Sequence, residues 1–153
     1  MMDAPSRLLR WAVHATVCGL LAIAVVSSLR EDHVAVAVGG VLLGLAYAAG
    51  GLAAVQARGP VWLVVVTTGW MVLAAMAPPF VWLAFPLLFV YLDLLPLWAA
   101  MFGVAVVTSA AILAAAWHAG ELTLPLVVGP GVGAAVVTLL VLTCRALEVE
   151  GSD

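Results

Sequence analysis

Two short polar segments of this sequence carry the side chains most able to do chemistry in contact with water. They supply two imidazoles and three carboxylates, on Glu31, Asp32, His33, His118 and Glu121. Such a set could sense protons, because histidine titrates near neutral pH, or bind a divalent cation. Short loops between apolar segments also need polar residues simply to stay in water. The five residues therefore either form a sensing surface or are simply the polar residues that short loops need.

Asp93 is the one acid inside a long apolar stretch. A charged side chain at the centre of a bilayer costs about 2.5–3.5 kcal/mol on insertion scales, so acids in such places often mark proton or ion paths. Asp93 lies close to Pro96, however, where the apolar segment must end. The sequence therefore favours an acid in a turn at the membrane surface over a member of a proton path.

His14 and Cys18 are four residues apart and would share one face of a helix. A complete metal site needs three or four ligands, and Cys144 could join them only if the first and last helices packed together. The sequence has no phosphate-binding glycine loop, no HExxH motif and no GxSxG motif. We therefore predict no catalytic residue, no bound cofactor and no metal site in these residues.

The composition predicts what kind of structure holds these residues. Of all residues, 67% are hydrophobic and only 8% are charged. Soluble domains have about 45–50% apolar and about 25% charged residues. The composition excludes a soluble domain, a disordered chain and a nucleic-acid-binding protein, which needs a basic surface. The sequence predicts an all-α integral membrane protein whose main partner is the lipid bilayer.

Apolar runs separated by charges or prolines predict a bundle of six membrane-spanning helices, each near the roughly 20 residues that a bilayer requires. Their approximate ranges are 11–29, 34–57, 61–77, 80–95, 97–119 and 122–143, between an N-terminal tail at 1–10 and the start of a helix leaving the membrane at 144–153. Residues 80–119 would be about 60 Å long as one helix, so the chain must turn at Asp93–Pro96. The alternative is five spans, with 80–97 as a re-entrant loop.

Arginines predict the orientation, because cytoplasmic loops carry an excess of basic residues. With six spans, only Arg30 lies on the side opposite to the two termini. The side that holds the termini carries Arg7, Arg10, Arg58 and Arg145. This bias predicts cytoplasmic termini. The absence of Asn and the presence of only two Ile suggest a GC-rich bacterial genome, so the predicted membrane is a bacterial plasma membrane. The first apolar run is too long for a cleavable signal peptide, whose core has about 7–15 residues.

Glycines and prolines predict where helices approach each other or bend. Close helix packing uses small residues four apart, within one chain or between two copies. That spacing occurs at Gly40, Gly44, Gly129 and Gly133. Pro86 and Pro130 lie inside predicted spans and are expected to kink them.

Two regions of the chain resemble the sensory region of one bacterial protein group. They are VWLAFPLLF at 81–89 with LLP at 94–96, and VGPGVGAA at 128–135 with RAL at 145–147. These stretches are similar to the N-terminal membrane region of two-component sensor histidine kinases of the DesK-like type, which partner NarL-type response regulators. One departure lies at Asp93, where a histidine is often found in this family.

The resemblance implies a sensory domain whose sixth helix continues into a cytoplasmic kinase core that uses ATP and Mg²⁺, with a response regulator as partner and a homodimer as the active unit. The phosphoacceptor histidine and the ATP-binding motifs of such a core do not occur in these residues, so no catalytic residue is transferred. Short outer loops favour a stimulus in the membrane or at the cell envelope. The alternatives are a small transporter or channel subunit, which predicts a repeat between the two halves, and a non-signalling membrane scaffold.

Overall fold

The computed structural model describes residues 4–52 and 59–150, and every regular element in these two ranges is helical. This confirms the prediction of an all-α protein. Six α-helices and one short 3₁₀ helix follow one another along the described chain. They are α1 (Ala4–Arg30), α2 (Val34–Leu52), α3 (Gly59–Met76), the 3₁₀ helix (Pro78–Leu83), α4 (Ala84–Leu94), α5 (Leu97–Ala119) and α6 (Leu124–Glu150).

Four of these helices are long and apolar enough to cross a membrane. The four stretches are Arg7–Arg30, Gly59–Met76, Leu97–Ala119 and Leu124–Leu147. Two further stretches are apolar but shorter, at Val34–Gly50 and Pro78–Leu94. The predicted end of the second span (53–57) and Arg58 lie outside the described residues. The fold is therefore a helical membrane protein with four helices fit to span a bilayer.

The outside of the bundle is covered by large apolar side chains. Trp98 is 80% exposed and Trp117 is 78% exposed, together with many valines and leucines. Inside, α1 packs on α2 and α2 on α3, whereas α6 packs on both α4 and α5, which also contact each other. Surfaces of this kind are stable when the surrounding solvent is hydrocarbon, because lipid tails are as apolar as these side chains.

The centre of the fold is built around Trp70 on α3, whose side chain is fully buried. Its indole Nε1 donates a hydrogen bond of 2.8 Å to the backbone oxygen of Phe80, in the 3₁₀ helix. The Phe80 side chain is also fully buried. A carbonyl in an apolar interior must find a donor within the protein, since no water is there to donate a hydrogen bond to it. The Trp70 indole therefore allows irregular backbone to pass through the core.

The segment between α3 and α5 begins differently from the regular fourth span that the sequence predicts. Ala77 is extended (φ −145°, ψ 128°), and Pro78 begins a 3₁₀ helix that changes to α-helix only at Ala84. Pro86 therefore lies in the first turn of α4 rather than in the middle of a span. Proline is tolerated in a first turn because the N–H that it lacks is one of the helix's unpaired donors. The predicted kink at Pro86 is replaced by this change of helix type.

Contacts at its two ends show that the 78–94 segment runs lengthwise along α1. Near its start, Phe80 lies over Gly40, which also faces Val25 of α1. At its end, Asp93 is paired with Arg10 of α1. From Val25 to Arg10, α1 covers about 22 Å at 1.5 Å per residue. The segment therefore passes from one end of the bundle to the other, before the chain turns at Leu95 and Pro96 into α5.

Candidate functional site

The end of α4 carries an ion pair with the first helix. Arg10 Nη2 lies 3.1 Å from Asp93 Oδ2, and both side chains are 52% exposed. Asp93 is the penultimate residue of α4, and Arg10 lies in the second turn beyond the start of α1. An exposed pair of this kind contributes about 0–1 kcal/mol to stability, so its main effect is to fix where the two helices meet.

The same helix end is bound from the other side by the last helix. Arg145 of α6 is half-buried and donates through Nη2 to the backbone oxygen of Leu92. Leu92 lies in the last turn of α4, where carbonyls have no partner within the helix. A cation at a helix C-terminus is also favoured by the helix dipole. Arg145 therefore caps α4.

We call Arg10, Arg145 and the end of α4 at Leu92 and Asp93 the arginine clasp. Through it, the first and last helices both bind the C-terminal end of α4. From the sequence, the two arginines predicted only the orientation, and Asp93 was expected in a turn at the membrane surface. The one available clue was that the lone acid of an apolar stretch needs a cation nearby.

The loop between α1 and α2 holds three of the five residues predicted to face water together. Asp32 has a left-handed backbone (φ 60°), which turns the chain sharply after α1. His33 Nδ1 then lies 3.6 Å from Glu31 Oε2, with both side chains 59% exposed. The His33 backbone N–H also donates to Ser28 O, at 2.9 Å. The contacts of His33 are therefore made within this loop and with the end of α1.

His118 and Glu121 have different surroundings from the α1–α2 loop. His118 Nε2 donates a 2.7 Å hydrogen bond to the backbone oxygen of Ala74, in the last turns of α3. Glu121 is exposed just after α5. Within residues 4–52 and 59–150, no three His, Cys, Asp or Glu side chains are grouped so that they could hold a metal ion. His118 therefore joins the end of α5 to the end of α3 through its bond to Ala74.

Replacing His118 with alanine is expected to lower the free energy of unfolding by about 0.5–1.5 kcal/mol, because the Ala74 carbonyl loses its partner. His33→Ala is the matched control, since its exposed pair with Glu31 is worth about 0–1 kcal/mol. The measurement is unfolding of the purified protein in mixed micelles. Equal losses in the two variants would contradict the role assigned to His118.

The glycines predicted to pack helices have different surroundings. A Cβ on Gly44 would lie 2.6 Å from Leu21 Cδ2 of α1, and a Cβ on Gly133 would overlap the Phe85 ring of α4. Gly40 is enclosed in the same way by Val25 and Phe80. These three positions therefore allow close approach within one chain. Gly129 differs from the expectation of packing inside the bundle, because among the described residues no side chain beyond its chain neighbours lies within 4 Å of a Cβ built there.

Pro96 and Pro130, which the sequence placed at a turn and at a kink, lie at the start and in the interior of helices. Pro96 is the extended N-cap residue of α5 (φ −60°, ψ 150°), and its carbonyl accepts the Ala100 N–H at 2.9 Å. Pro130 lies inside α6, which continues as one helix on both sides of it. Pro96 therefore separates α4 from α5, whereas Pro130 does not divide α6.

Comparison of the chain with known proteins finds no matching family model, no matching curated protein and no matching solved structure. Function is therefore argued from the arrangement of the chain's own residues.

Proposed function

We propose that these residues form the membrane-embedded sensory domain of a two-component histidine kinase, which passes a membrane or envelope stimulus through α6 to a cytoplasmic kinase core. The observation that carries the proposal is the bond between Arg145 of α6 and the end of α4. A sensory domain requires its output helix to be coupled to the rest of the bundle. Arg145 supplies that coupling at the position where the apolar part of α6 gives way to polar residues.

The length of α6 supports its role as an output helix. Its 27 residues make about 40 Å of continuous helix, which exceeds the roughly 30 Å hydrocarbon thickness of a bilayer. The helix passes Arg145 without a break and is helical through Glu150, the last described residue. A rigid helix that leaves the membrane can transmit a shift or a rotation of the bundle.

The contacts also support the six-crossing arrangement on which the proposal rests. The arginine clasp places Arg10 near the start of α1 and Arg145 near the end of α6 at the same end of the bundle. The 78–94 segment runs the length of α1 instead of turning back, as a re-entrant loop would. With arginines concentrated at this end, the positive-inside rule favours cytoplasmic termini in a bacterial plasma membrane.

A transport pathway is less well supported by the interior. Among the described residues, the buried polar side chains are Ser28, Thr67 and Thr138. Ser28 and Thr138 donate to carbonyls of their own helices, and Thr67 shares a 2.7 Å hydrogen bond with the Tyr91 hydroxyl. All three are thus satisfied within the protein, and among the described residues Thr108 Oγ1 is the one buried side-chain atom left without a partner. A path for ions or polar solutes needs a series of groups that can bind the solute, which one hydroxyl does not supply.

The proposal is tested by joining residues 1–153 in helical register to a histidine kinase core and measuring autophosphorylation in membranes. Arg145→Ala is expected to change the rate by at least about fivefold, because coupling energies between sites are typically 1–3 kcal/mol. Arg30→Ala, at the opposite end of the bundle, is the matched control. Equal rates for the wild-type chimera and both variants would contradict a signalling role for α6.

Orientation is tested separately with reporters fused after Asp153. A fluorescent protein that folds only in the cytoplasm is expected to be bright, and alkaline phosphatase, which is active only outside, is expected to be inactive. Active phosphatase at this position would exclude six spans with cytoplasmic termini.

A further inference from the structure

A histidine and a tyrosine form a hydrogen-bonded pair on the outside of the bundle, one helical turn from the arginine clasp. His14 Nδ1 lies 2.8 Å from the Tyr47 hydroxyl, and the two rings meet edge to face. His14 is exposed on α1, and Tyr47 is half-buried on α2. The proposed function does not use this pair.

Tyr47 is held firmly in position by its neighbours. Its ring lies 5.7 Å from that of Trp62, whose Nε1 donates a 2.7 Å bond to the Ala46 backbone oxygen. Trp62 in turn lies so close to Gly50 that a Cβ there would overlap the indole. The hydroxyl that contacts His14 is therefore preorganised.

The donors and acceptors available to the two side chains determine where the protons of this pair lie. Tyr47 has one O–H to donate and, within the described residues, His14 is its only hydrogen-bond partner. Because an unpaired hydroxyl in an apolar region is costly, Tyr47 donates and His14 Nδ1 accepts. A neutral imidazole that accepts at Nδ1 carries its proton on Nε2. Nothing in the described residues accepts from this Nε2–H.

The depth of His14 limits what could accept its proton. His14 lies four residues beyond Arg10, which is about 6 Å further along the helix axis. Arg10 is paired with Asp93 in a half-exposed contact that suits the membrane surface. Between them lies Trp11, which is 73% exposed, as expected of an interfacial tryptophan. His14 thus lies at the level where polar headgroups give way to acyl chains.

We propose that His14, oriented by Tyr47, binds a carbonyl oxygen of an amphiphile from the membrane through its Nε2–H. An acceptor is required because a donor facing hydrocarbon must be paired. Carbonyl oxygens at this depth come from the ester groups of phospholipids or from the ring of a lipophilic quinone. The proposal requires only that α1 lies in a membrane, so it is independent of a role in signalling.

The test uses the full chain with ¹⁵N-labelled histidine in three kinds of nanodisc: ester-linked phosphatidylcholine, ether-linked phosphatidylcholine, which has no carbonyl, and ether-linked lipid with decylubiquinone. NMR reports the Nε2–H proton shift of His14, which is assigned by its loss in His14→Gln. His33 serves as the internal control. Tyr47→Phe keeps His14 but removes the hydroxyl that fixes its tautomer.

A downfield Nε2–H signal in ester lipid that moves upfield in ether lipid is expected if the acceptor is a phospholipid ester. Recovery of the downfield signal with the quinone would show that a ring carbonyl also binds. In Tyr47→Phe, the signal is expected to broaden as two tautomers exchange. The same His14 shift in all three membranes would overturn the proposal, because water would then be the acceptor. The comparison between the three membranes is made on the wild-type protein, so its outcome does not depend on the stability of Tyr47→Phe; His14→Gln is needed only to assign the signal.

Discussion

Trp70→Ala is expected to lower the free energy of unfolding by about 3–5 kcal/mol, the range for removing a fully buried aromatic side chain. Two losses add together at this position. The fully buried indole leaves a cavity between α3 and the 3₁₀ helix, and the Phe80 carbonyl loses its donor. Unfolding of the purified protein in mixed micelles, followed by circular dichroism, measures the change.

Two further tryptophan variants separate these losses. Trp70→Phe keeps most of the volume but removes the indole N–H, so it is expected to cost about 1–3 kcal/mol for the unpaired carbonyl. Trp82→Phe is the matched control, because Trp82 is 63% exposed. If Trp70→Phe were as stable as Trp82→Phe, the Phe80 carbonyl would not depend on Trp70.

Gly103→Ala is expected to have the second largest effect, a loss of about 1–3 kcal/mol from overpacking between α4 and α5. A Cβ at Gly103 would overlap the ring of Tyr91. That ring cannot swing away without losing the 2.7 Å bond between its hydroxyl and Thr67. The same unfolding measurement applies, and Thr67→Val in the Gly103→Ala background should then cost less than it does alone.

Gly131→Ala provides the control for a glycine that has space around it. Among the described residues, no atom of a more distant side chain lies within 4 Å of a Cβ at this position, and Gly131 follows Pro130 instead of preceding it, so helix propensity is the main change. Alanine is then expected to be neutral or stabilising by up to about 1 kcal/mol. A loss at Gly131 as large as that at Gly103 would mean that Gly131 packs against another molecule.

The features that could be predicted from the sequence are those that depend on local composition. Apolar runs bounded by charges and prolines were enough to predict an all-α membrane protein, and α5 has the same bounds as the predicted fifth span. The predicted start of the fourth span was less accurate. The 3₁₀ helix there depends on the Trp70 indole binding the Phe80 carbonyl, a contact between two elements that no periodicity signals.

Features that depend on distant neighbours could not be predicted. Gly129 and Gly133 have identical chemistry and lie four residues apart, yet only Gly133 meets an aromatic ring. Arg10 and Asp93 are separated by 83 residues, and either could have faced water alone. The sensing surface predicted from Glu31, Asp32, His33, His118 and Glu121 could not be tested on sequence alone for the same reason. In the structure, His118 bonds to α3, whereas His33 pairs within its own loop.

The arginine clasp also has a consequence for the biosynthesis of the protein. Arg145 follows Leu92 by 53 residues, so α4 is synthesised before the side chain that binds its Leu92 carbonyl. Arg10, in contrast, precedes Asp93 by 83 residues and is already present when α4 is made. The Leu92 carbonyl can therefore gain its arginine donor only after the chain has been extended through α6.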